Sequence, residues 1–120
     1  MAKAPIAGTV YFKIDGTQYT IAGELTAQMD NFEREGVAGL SGVAGYNEKP
    51  IVPFIEVEFY QTSDIDMDSM AGVVDATVTA EFANGKTAIL NNAWFAGNRE
   101  VKGSDGQFTA KFEGKRGQWV

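Results

Sequence analysis

Hydrophobic and polar residues alternate along much of this chain, with the period of two that is typical of β-strands. The first alternating segment places Val10, Phe12 and Ile14 on one side of a strand, with polar or amphipathic residues between them. Asp15-Gly16 follows at once, and this dipeptide favours the positive φ angles of a two-residue turn. The pattern therefore predicts a β-hairpin at the start of the chain.

A further strand is predicted in the middle of the chain, where the alternation involves larger side chains. Ile55, Val57 and Phe59 fall on one face of this strand. Glu56 and Glu58 fall on the other face. Such a strand buries its apolar face and leaves the acidic face to solvent or to a partner.

A second hairpin is predicted where Asn84-Gly85 separates two alternating segments. The triplet Gly85-Lys86-Thr87 also matches the end of a phosphate-binding loop. That loop requires another glycine five residues before Gly85, where this chain has Ala80, and a helix after the lysine. The residues after Lys86 favour a strand, so the pattern predicts a hairpin turn and no nucleotide site.

A third hairpin is predicted near the C-terminus, with its turn at residues 104–106 and with Phe108 and Phe112 on one face. One short helix is predicted at residues 64–73, because aspartates cluster at its start, where they complement the helix dipole. Four aspartates here also fit the spacing of a calcium-binding loop: Asp64, Asp66, Asp68 and Asp75. Ser69 stands where that loop needs glycine, so a helix start explains the acids better and no metal site is predicted.

Residues 29–50 break the alternating pattern. Glycine recurs there at every third position from Gly36 to Gly45, and large apolar residues are few. The segment is predicted to be one long loop, which is uncommon in a compact domain unless the loop has a function.

Together these elements predict a single domain at residues 1–120. Its fold class is mainly β: an antiparallel sandwich or partly closed barrel of about seven strands, with one short α-helix and the long loop. Some predicted strands have small polar faces that a monomer does not need. We therefore expect copies of the chain to join around a hollow axis, which would also close the sheet edges.

Composition narrows the range of functions. The 120 residues include no cysteine and no histidine, which removes disulfides, thiolate chemistry and the commonest base near neutral pH. A formal net charge of −6 argues against wrapping nucleic acid through phosphate contacts. No apolar segment has the length of a membrane span. We expect no enzyme activity, no catalytic residues and no cofactor.

Two alternatives from other classes stay open. Glu56 and Glu58 could act as the paired carboxylates of a hydrolase, although a solvated strand face is the simpler interpretation. A monomeric ligand-binding β-barrel is the second alternative, and it would need a closed apolar cavity.

Several blocks of the sequence resemble the tail tube protein of Mu-like contractile phages. They are REGVAGLSGVAGYNEKPIVPFIEVEF at residues 34–59, ANGKTAILNNAWFAG at residues 83–97 and the opening hairpin GTVYFKIDGTQYTIAGEL. The helical region SDIDMDSM fits more loosely. The resemblance extends over nearly the whole chain, in order.

The resemblance implies a structural virion protein. Proteins of this family form hexameric rings that stack into the hollow inner tube of a contractile tail, and DNA leaves through the channel. Their fold is similar to that of the type VI secretion needle, so a needle-type subunit of a phage-derived secretion or injection system is a further alternative. The implied partners are copies of the chain, the sheath, baseplate and tape-measure proteins, and DNA that passes without specific binding. Assembly is expected in the host cytoplasm.

Two groups of residues are candidates for these implied roles. A wall of carboxylates and small polar groups would let DNA slide without sticking. The lumen-facing candidates are Thr20, Glu24, Thr26, Gln28, Glu56, Glu58, Thr77, Thr79 and Glu81. The long loop would stack successive rings, and the inter-ring candidates are Arg34, Glu35, Gly36, Gly39, Gly42, Gly45, Tyr46, Glu48 and Lys49. Arg34 and Lys49 are expected to pair with acids of the next ring or to remain solvated.

Overall fold

The computed structural model describes residues 10–19, 21–60, 66–97, 101–102 and 106–120. Its strands and helix follow in chain order: β1 (Val10–Ile14), β2 (Thr17–Tyr19), β3 (Ile21–Gln28), β4 (Phe32–Gly39), β5 (Gly42–Pro50), β6 (Phe54–Tyr60), α1 (Met67–Ala71), β7 (Ala76–Phe82), β8 (Thr87–Ala96), β9 (Val101–Lys102) and β10 (Gln107–Trp119).

Two predicted hairpins form at their predicted turns. β1 and β2 pair across Asp15-Gly16, where φ is 49° and 86°. β7 and β8 pair across Asn84-Gly85, where Gly85 has a φ of 88°. Lys86 leads directly into β8 and not into a helix, so the Gly-Lys-Thr triplet belongs to a hairpin turn.

The third predicted hairpin is described only in part. β9 pairs with β10 in antiparallel orientation, as that hairpin requires. Residues 104 and 105 of its predicted turn lie outside the described residues.

The main sheet curls so that its two ends meet. Its strands are antiparallel and follow the order β2-β1-β7-β8-β10-β6-β3, with β9 added beside β10. β2 and β3 lie at opposite ends of this order, although a single residue separates them in the sequence. β3 also lies against β1. Because β1, next to one end of the sheet, also contacts β3 at the other end, the sheet forms a partly closed barrel, and the predicted mainly β fold is confirmed.

Alternating side chains fill the interior of this barrel. β6 buries Ile55, Val57 and Phe59, as its pattern predicts. The ring centroid of Phe59 lies 5.4 Å from that of Phe12 on β1 and 5.4 Å from that of Phe108 on β10. The aromatic core therefore connects strands that lie far apart in the sheet order.

The helix α1 lies within the predicted range 64–73, of which residues 64 and 65 are outside the described residues. Oδ1 of Asp66 accepts a hydrogen bond from the Ser69 backbone nitrogen at 3.1 Å, which caps the helix. Oδ1 of Asp75 accepts one from Nδ2 of Asn92 at 2.8 Å. Two of the aspartates with calcium-loop spacing thus have structural roles.

Residues 29–50 do not form the long loop that the sequence predicts. β4 and β5 pair with each other as an antiparallel hairpin, residues 32–50, and form a separate two-stranded sheet. Gly42 and Gly45 have φ values of 123° and 146°, which favour glycine. The frequent glycines hid the strands, because glycine has low β propensity and contributes no side chain to an alternating pattern.

This long hairpin projects from the barrel. All of its residues are exposed. The radius of gyration is 17.2 Å, with extents of 61 × 40 × 29 Å. A compact domain of this length would have a radius of gyration of about 14 Å. An eight-residue strand such as β4 is about 26 Å long, so the hairpin accounts for much of the elongation.

Gly117 of β10 lies against the backbone of Met29, just before the chain enters the long hairpin. A Cβ at this position would lie 2.6 Å from the carbonyl oxygen and 2.8 Å from Cα of Met29, which are backbone atoms. We expect Gly117→Ala to lower the free energy of unfolding by about 1–3 kcal/mol, as overpacking of a filled site does. Urea denaturation of dispersed subunits measures this change.

Gly36→Ala is the matched control for that substitution. No atom lies within 4 Å of a Cβ at position 36. The control should change the free energy of unfolding by less than about 0.5 kcal/mol. Equal stability of the two variants would show that the backbone around Met29 yields to the added methyl group.

Candidate assembly surfaces

One group of lumen-facing candidates lies on the outer face of two neighbouring strands. On β6, Glu56 is exposed and Glu58 is half-buried, between the buried core residues. Thr26 of β3 lies directly opposite Glu56. Alternation along β3 places Glu24 and Gln28 on the same side as Thr26. The structure therefore brings five candidates together as one polar surface, which we call the β3–β6 face.

The other described candidates lie on β7. Thr77, Thr79 and Glu81 point away from the core, because Val78 and Ala80 between them are buried. β8 and β10 separate β7 from β6 in the sheet. The candidates thus form two groups on the outer surface and not one patch. Thr20 lies outside the described residues.

Sequence reasoning missed the contribution of β10 to this surface. Lys111 lies directly opposite Glu56 in the sheet. Its Nζ is 3.7 Å from Oε2 of Glu113 and 4.6 Å from the ring centroid of Phe54. Alternation around the two predicted inward phenylalanines of β10 would have placed Lys111 on the outer face. A cation, Lys111, therefore lies beside the carboxylates of the β3–β6 face.

All nine inter-ring candidates lie on the long hairpin and are exposed. The register sets Arg34 opposite Glu48 and Gly36 opposite Tyr46. Nε of Arg34 donates a hydrogen bond to Oε2 of Glu48 at 3.0 Å, and its guanidinium carbon lies 5.0 Å from the Tyr46 ring centroid. Phe32, which is 59% exposed, shares this side by alternation. One side of the hairpin therefore carries the exposed rings of Phe32 and Tyr46 together with the Arg34–Glu48 ion pair.

The opposite side of the hairpin is polar. Nζ of Lys49 lies 3.7 Å from Oε2 of Glu33. Glu35 lies opposite Asn47, and in the described part of the chain Glu35 forms no ion pair. Arg34 and Lys49 each lie beside an acid of their own hairpin, and their side chains remain 67% and 61% exposed. Pairing with acids of the next ring stays a prediction.

Asn31 links the base of the hairpin to β10 through side-chain hydrogen bonds. Nδ2 of Asn31 donates to the carbonyl oxygen of Lys115 at 2.9 Å, and its Oδ1 accepts from the Gly117 nitrogen at 3.4 Å. Its backbone carbonyl accepts from the Ile51 nitrogen at 2.9 Å. The hairpin is thus fixed to β10 at its base and is solvent-exposed along the rest of its length.

Beside this base the surface forms an open groove of about 580 Å³. Its apolar lining includes Phe32, Val52 and Trp94, and two cations, Lys115 and Arg116, also line it. Val52 is 48% exposed. We call this feature the root groove. Sequence reasoning did not identify it, because its residues come from four separate segments of the chain.

Nε2 of Gln28 donates to the carbonyl oxygen of Val52 at 3.3 Å, and Oε1 of Gln28 accepts from the Asp30 nitrogen. This lumen-facing candidate therefore also holds the chain at the entrance to the hairpin. The ranges that the structure describes contain no group of three or more histidine, cysteine or acidic residues placed to hold a metal ion. Within them, no helix is both long and apolar enough to cross a membrane.

Comparison with known proteins identifies the family of this chain. The family model of the phage tail tube protein matches residues 3–119. A curated relative, the Mu-like prophage FluMu tail tube protein of Haemophilus influenzae, is 28% identical over 87 residues. The match covers 72% of this chain and 73% of the relative.

Solved structures share the fold at low sequence identity. A chain from the cryo-EM structure of an extracellular contractile injection system, the PVC sheath/tube terminator in the extended state, matches with a TM-score of 0.65 and 9% identity, over 100% of this chain and 99% of that one. A chain from the PVC sheath-tube complex matches with a TM-score of 0.64 and 6% identity, over 98% and 91%. A chain from the anti-feeding prophage cap matches with a TM-score of 0.65 and 9% identity, over 100% and 93%.

The solved structures support the fold alone, whereas the family model spans nearly the whole sequence and the curated relative is a Mu-like tail tube protein. The resemblance seen in the sequence is confirmed. The chain belongs to the phage tail tube protein family, as a structural component of the Mu-like type.

Proposed function

We propose that this tail tube protein forms hexameric rings that stack into the hollow inner tube of a contractile tail. The observation that carries the proposal is the long hairpin, whose two strands form a sheet of their own with every residue exposed. A two-stranded sheet with no covering layer is marginally stable in water. Contact with other copies of the chain supplies the missing burial.

The ends of the main sheet offer a route to ring closure. β2 and β3 stand at the two ends of the strand order, so each has one edge without a partner among the described strands. Exposed edges of this kind are templates for pairing with another chain. Edge pairing between neighbours in a ring would remove them, as closure of a barrel does.

The hairpin then provides the contact between rings. It is exposed along its whole length, and it carries all nine inter-ring candidates. Its aromatic side, with Phe32 and Tyr46 about 60% exposed, is suited to burial against another subunit.

The channel would conduct DNA without holding it. Of the two outer groups, the β3–β6 face has the larger number of carboxylates, from Glu24, Glu56 and Glu58. Negative side chains repel the phosphate backbone, so a wall of this kind prevents adhesion. We assign the β3–β6 face to the lumen, with the β7 group beside it.

The proposed tube also implies partners for the subunit and a location in the virion. The tube would lie inside a sheath, start at a baseplate and take its length from a tape-measure protein. Subunits would assemble in the host cytoplasm and remain in the virion, with no catalytic activity. The PVC structure that shares this fold contains a sheath and a tube together.

Two of the three alternatives, the ligand-binding barrel and the injection-system needle, receive less support. A ligand-binding barrel needs an interior cavity, whereas inside this barrel the ring of Phe59 packs edge-to-face with Phe12 and stacks on Phe108. A needle of an injection system has the same fold, but the family model and the curated relative are both from phage tails.

Electron microscopy of the purified chain tests the proposal directly. We expect negative-stain images to show rings with six-fold symmetry and hollow tubes made of stacked rings. Uniform small particles at high concentration, with a baseplate-type initiator present, would contradict it.

The lumen assignment predicts a gain of DNA binding when its charge is reversed. Glu56→Lys should produce tubes that retain short duplex DNA present during assembly, since each ring would add a circle of cations. The DNA that is protected from nuclease should rise several-fold over wild type and fall again at high salt.

The control for charge alone is Ser69→Lys with Val74→Lys, two exposed positions in and just after α1 that together add the same charge. Control tubes should protect as little DNA as wild type. If both variants protect DNA equally, the β3–β6 face does not line the channel.

A further inference from the structure

The tip and the base of the long hairpin are complementary surfaces that one molecule cannot bring together. At the tip, Leu40 is fully exposed and Val43 is 86% exposed. At the base, the root groove presents Phe32, Val52 and Trp94. A strand of eight residues separates the two by about 26 Å, so the tip of a subunit cannot reach its own groove.

We infer that the hairpin tip of one subunit binds in the root groove of a second copy, its axial neighbour in the next ring. The inference rests on the proposed stacking and identifies the surface that accepts the hairpin. A groove of about 580 Å³ is large enough for the Leu40 and Val43 side chains with the turn that joins them. Burial of these side chains is the driving force.

Charge supports a second copy as the occupant. Residues 36–47 contain no charged side chain, so the tip brings no ion into an apolar groove. Lys115 and Arg116 line the groove, and in the described part of the chain neither forms an ion pair. Glu35 is the hairpin acid that lacks a partner there. Glu35 lies five residues from Leu40, about 17 Å along the strand. When the hairpin lies along the neighbouring copy, Lys115 and Arg116 of that copy's groove can contact the Glu35 carboxylate.

The geometry also explains open-ended growth. The tip and the groove are different surfaces, so each bound copy leaves one free tip and one free groove. A heterologous contact of this type repeats without closing on itself and produces a filament. Each subunit then binds one copy on either side along the axis.

The absence of native cysteine permits a direct test. In the variant Leu40→Cys with Val52→Cys, oxidation of assembled tubes should link tip to groove and yield a ladder of covalent oligomers on a non-reducing gel. The bond requires Cα atoms within about 7 Å of each other, so it reports contact and not mere proximity. Each single-cysteine variant should remain mostly monomeric on the gel.

The control pair is Leu40→Cys with Ser69→Cys, since Ser69 is exposed on α1 and does not line the groove. We expect no ladder from it. A tip–groove ladder that extends beyond six subunits supports the axial contact. A ladder that ends at six would place the contact within a ring and overturn the inference, as would a tip–groove pair no more reactive than the control.

A charge-reversal pair tests the same contact without oxidation. Glu35→Lys should raise the critical concentration for tube growth roughly two- to five-fold, as expected for loss of one exposed ion pair. Adding Arg116→Glu should restore growth, and no restoration by either Arg116→Glu or Lys115→Glu would count against the charge contact. If wild type forms no tubes, the proposed function fails. If wild type forms tubes but the tip and groove neither crosslink nor show charge rescue, this inference alone fails.

Discussion

Replacement of residues 33–49 by Asn-Gly should abolish tube formation while the barrel stays folded. The hairpin residues are all exposed and pair with each other, so their removal takes little from the core. The Asn31–Ile51 hydrogen bond and the Phe32–Pro50 pair remain, and Asn-Gly closes such a pair with a tight two-residue turn. In the proposed tube the hairpin is the contact between rings, so we expect rings of the shortened chain not to stack.

Two measurements check this result. Circular dichroism and thermal denaturation should show a β domain whose stability is within about 1 kcal/mol of wild type, as for other exposed changes. Electron microscopy should show rings or free subunits and no tubes. Val74→Ala, an exposed change outside the hairpin, should still form tubes. Tubes of normal length from the shortened chain would show that another surface stacks the rings.

Phe59→Ala should have the largest effect on the stability of the barrel itself. Phe59 is fully buried, and its ring contacts Phe12 and Phe108 at 5.4 Å and Tyr19 at 6.3 Å between centroids. Truncation leaves a cavity where strands from both ends of the sheet meet. The expected loss is about 3–5 kcal/mol, which is a large share of the roughly 5–15 kcal/mol available to a domain.

Urea denaturation of dispersed subunits measures this loss, and Tyr60→Ala is the control. Tyr60 follows Phe59 on the same strand but points outward and is 43% exposed. The control should lose less than about 1 kcal/mol. Equal losses in the two variants would mean that the interior repacks around the missing ring.

The local elements were predictable because their signals are local. Asp15-Gly16 and Asn84-Gly85 form turns where they were expected, since a two-residue turn constrains φ at those positions alone. The buried positions 55, 57 and 59 of β6 follow directly from alternation. The family was also recognisable from sequence blocks, and the family model confirms it.

The long hairpin and the sheet order were not predictable in the same way. β4 and β5 contain four glycines between them and no core residue, so the apolar alternation that reveals a strand is missing. The complementary charges at Glu33 and Lys49 and at Arg34 and Glu48 were a weak signal of pairing. Neighbours such as β10 and β6 are set by contacts between distant segments, which no local pattern encodes.

The candidate surfaces were predictable from the sequence only in part. Alternation correctly separated outward from inward side chains on β3, β6 and β7. It could not show that β7 lies two strands away from β6, nor that Lys111 stands beside Glu56. The root groove was out of reach for the same reason, because Trp94 and Arg116 meet Phe32 only after folding.

The placement of β2 and β3 at opposite ends of the sheet has a consequence for the order in which a subunit folds. β2 pairs with β1 across a two-residue turn, whereas β3 pairs with β6, where Thr26 lies opposite Glu56. A pairing across a short turn forms quickly, and a pairing between distant segments forms more slowly because a longer stretch of chain must be ordered first. We therefore expect the β3–β6 pairing, which completes the partly closed barrel, to be a late step in the maturation of a newly synthesised subunit.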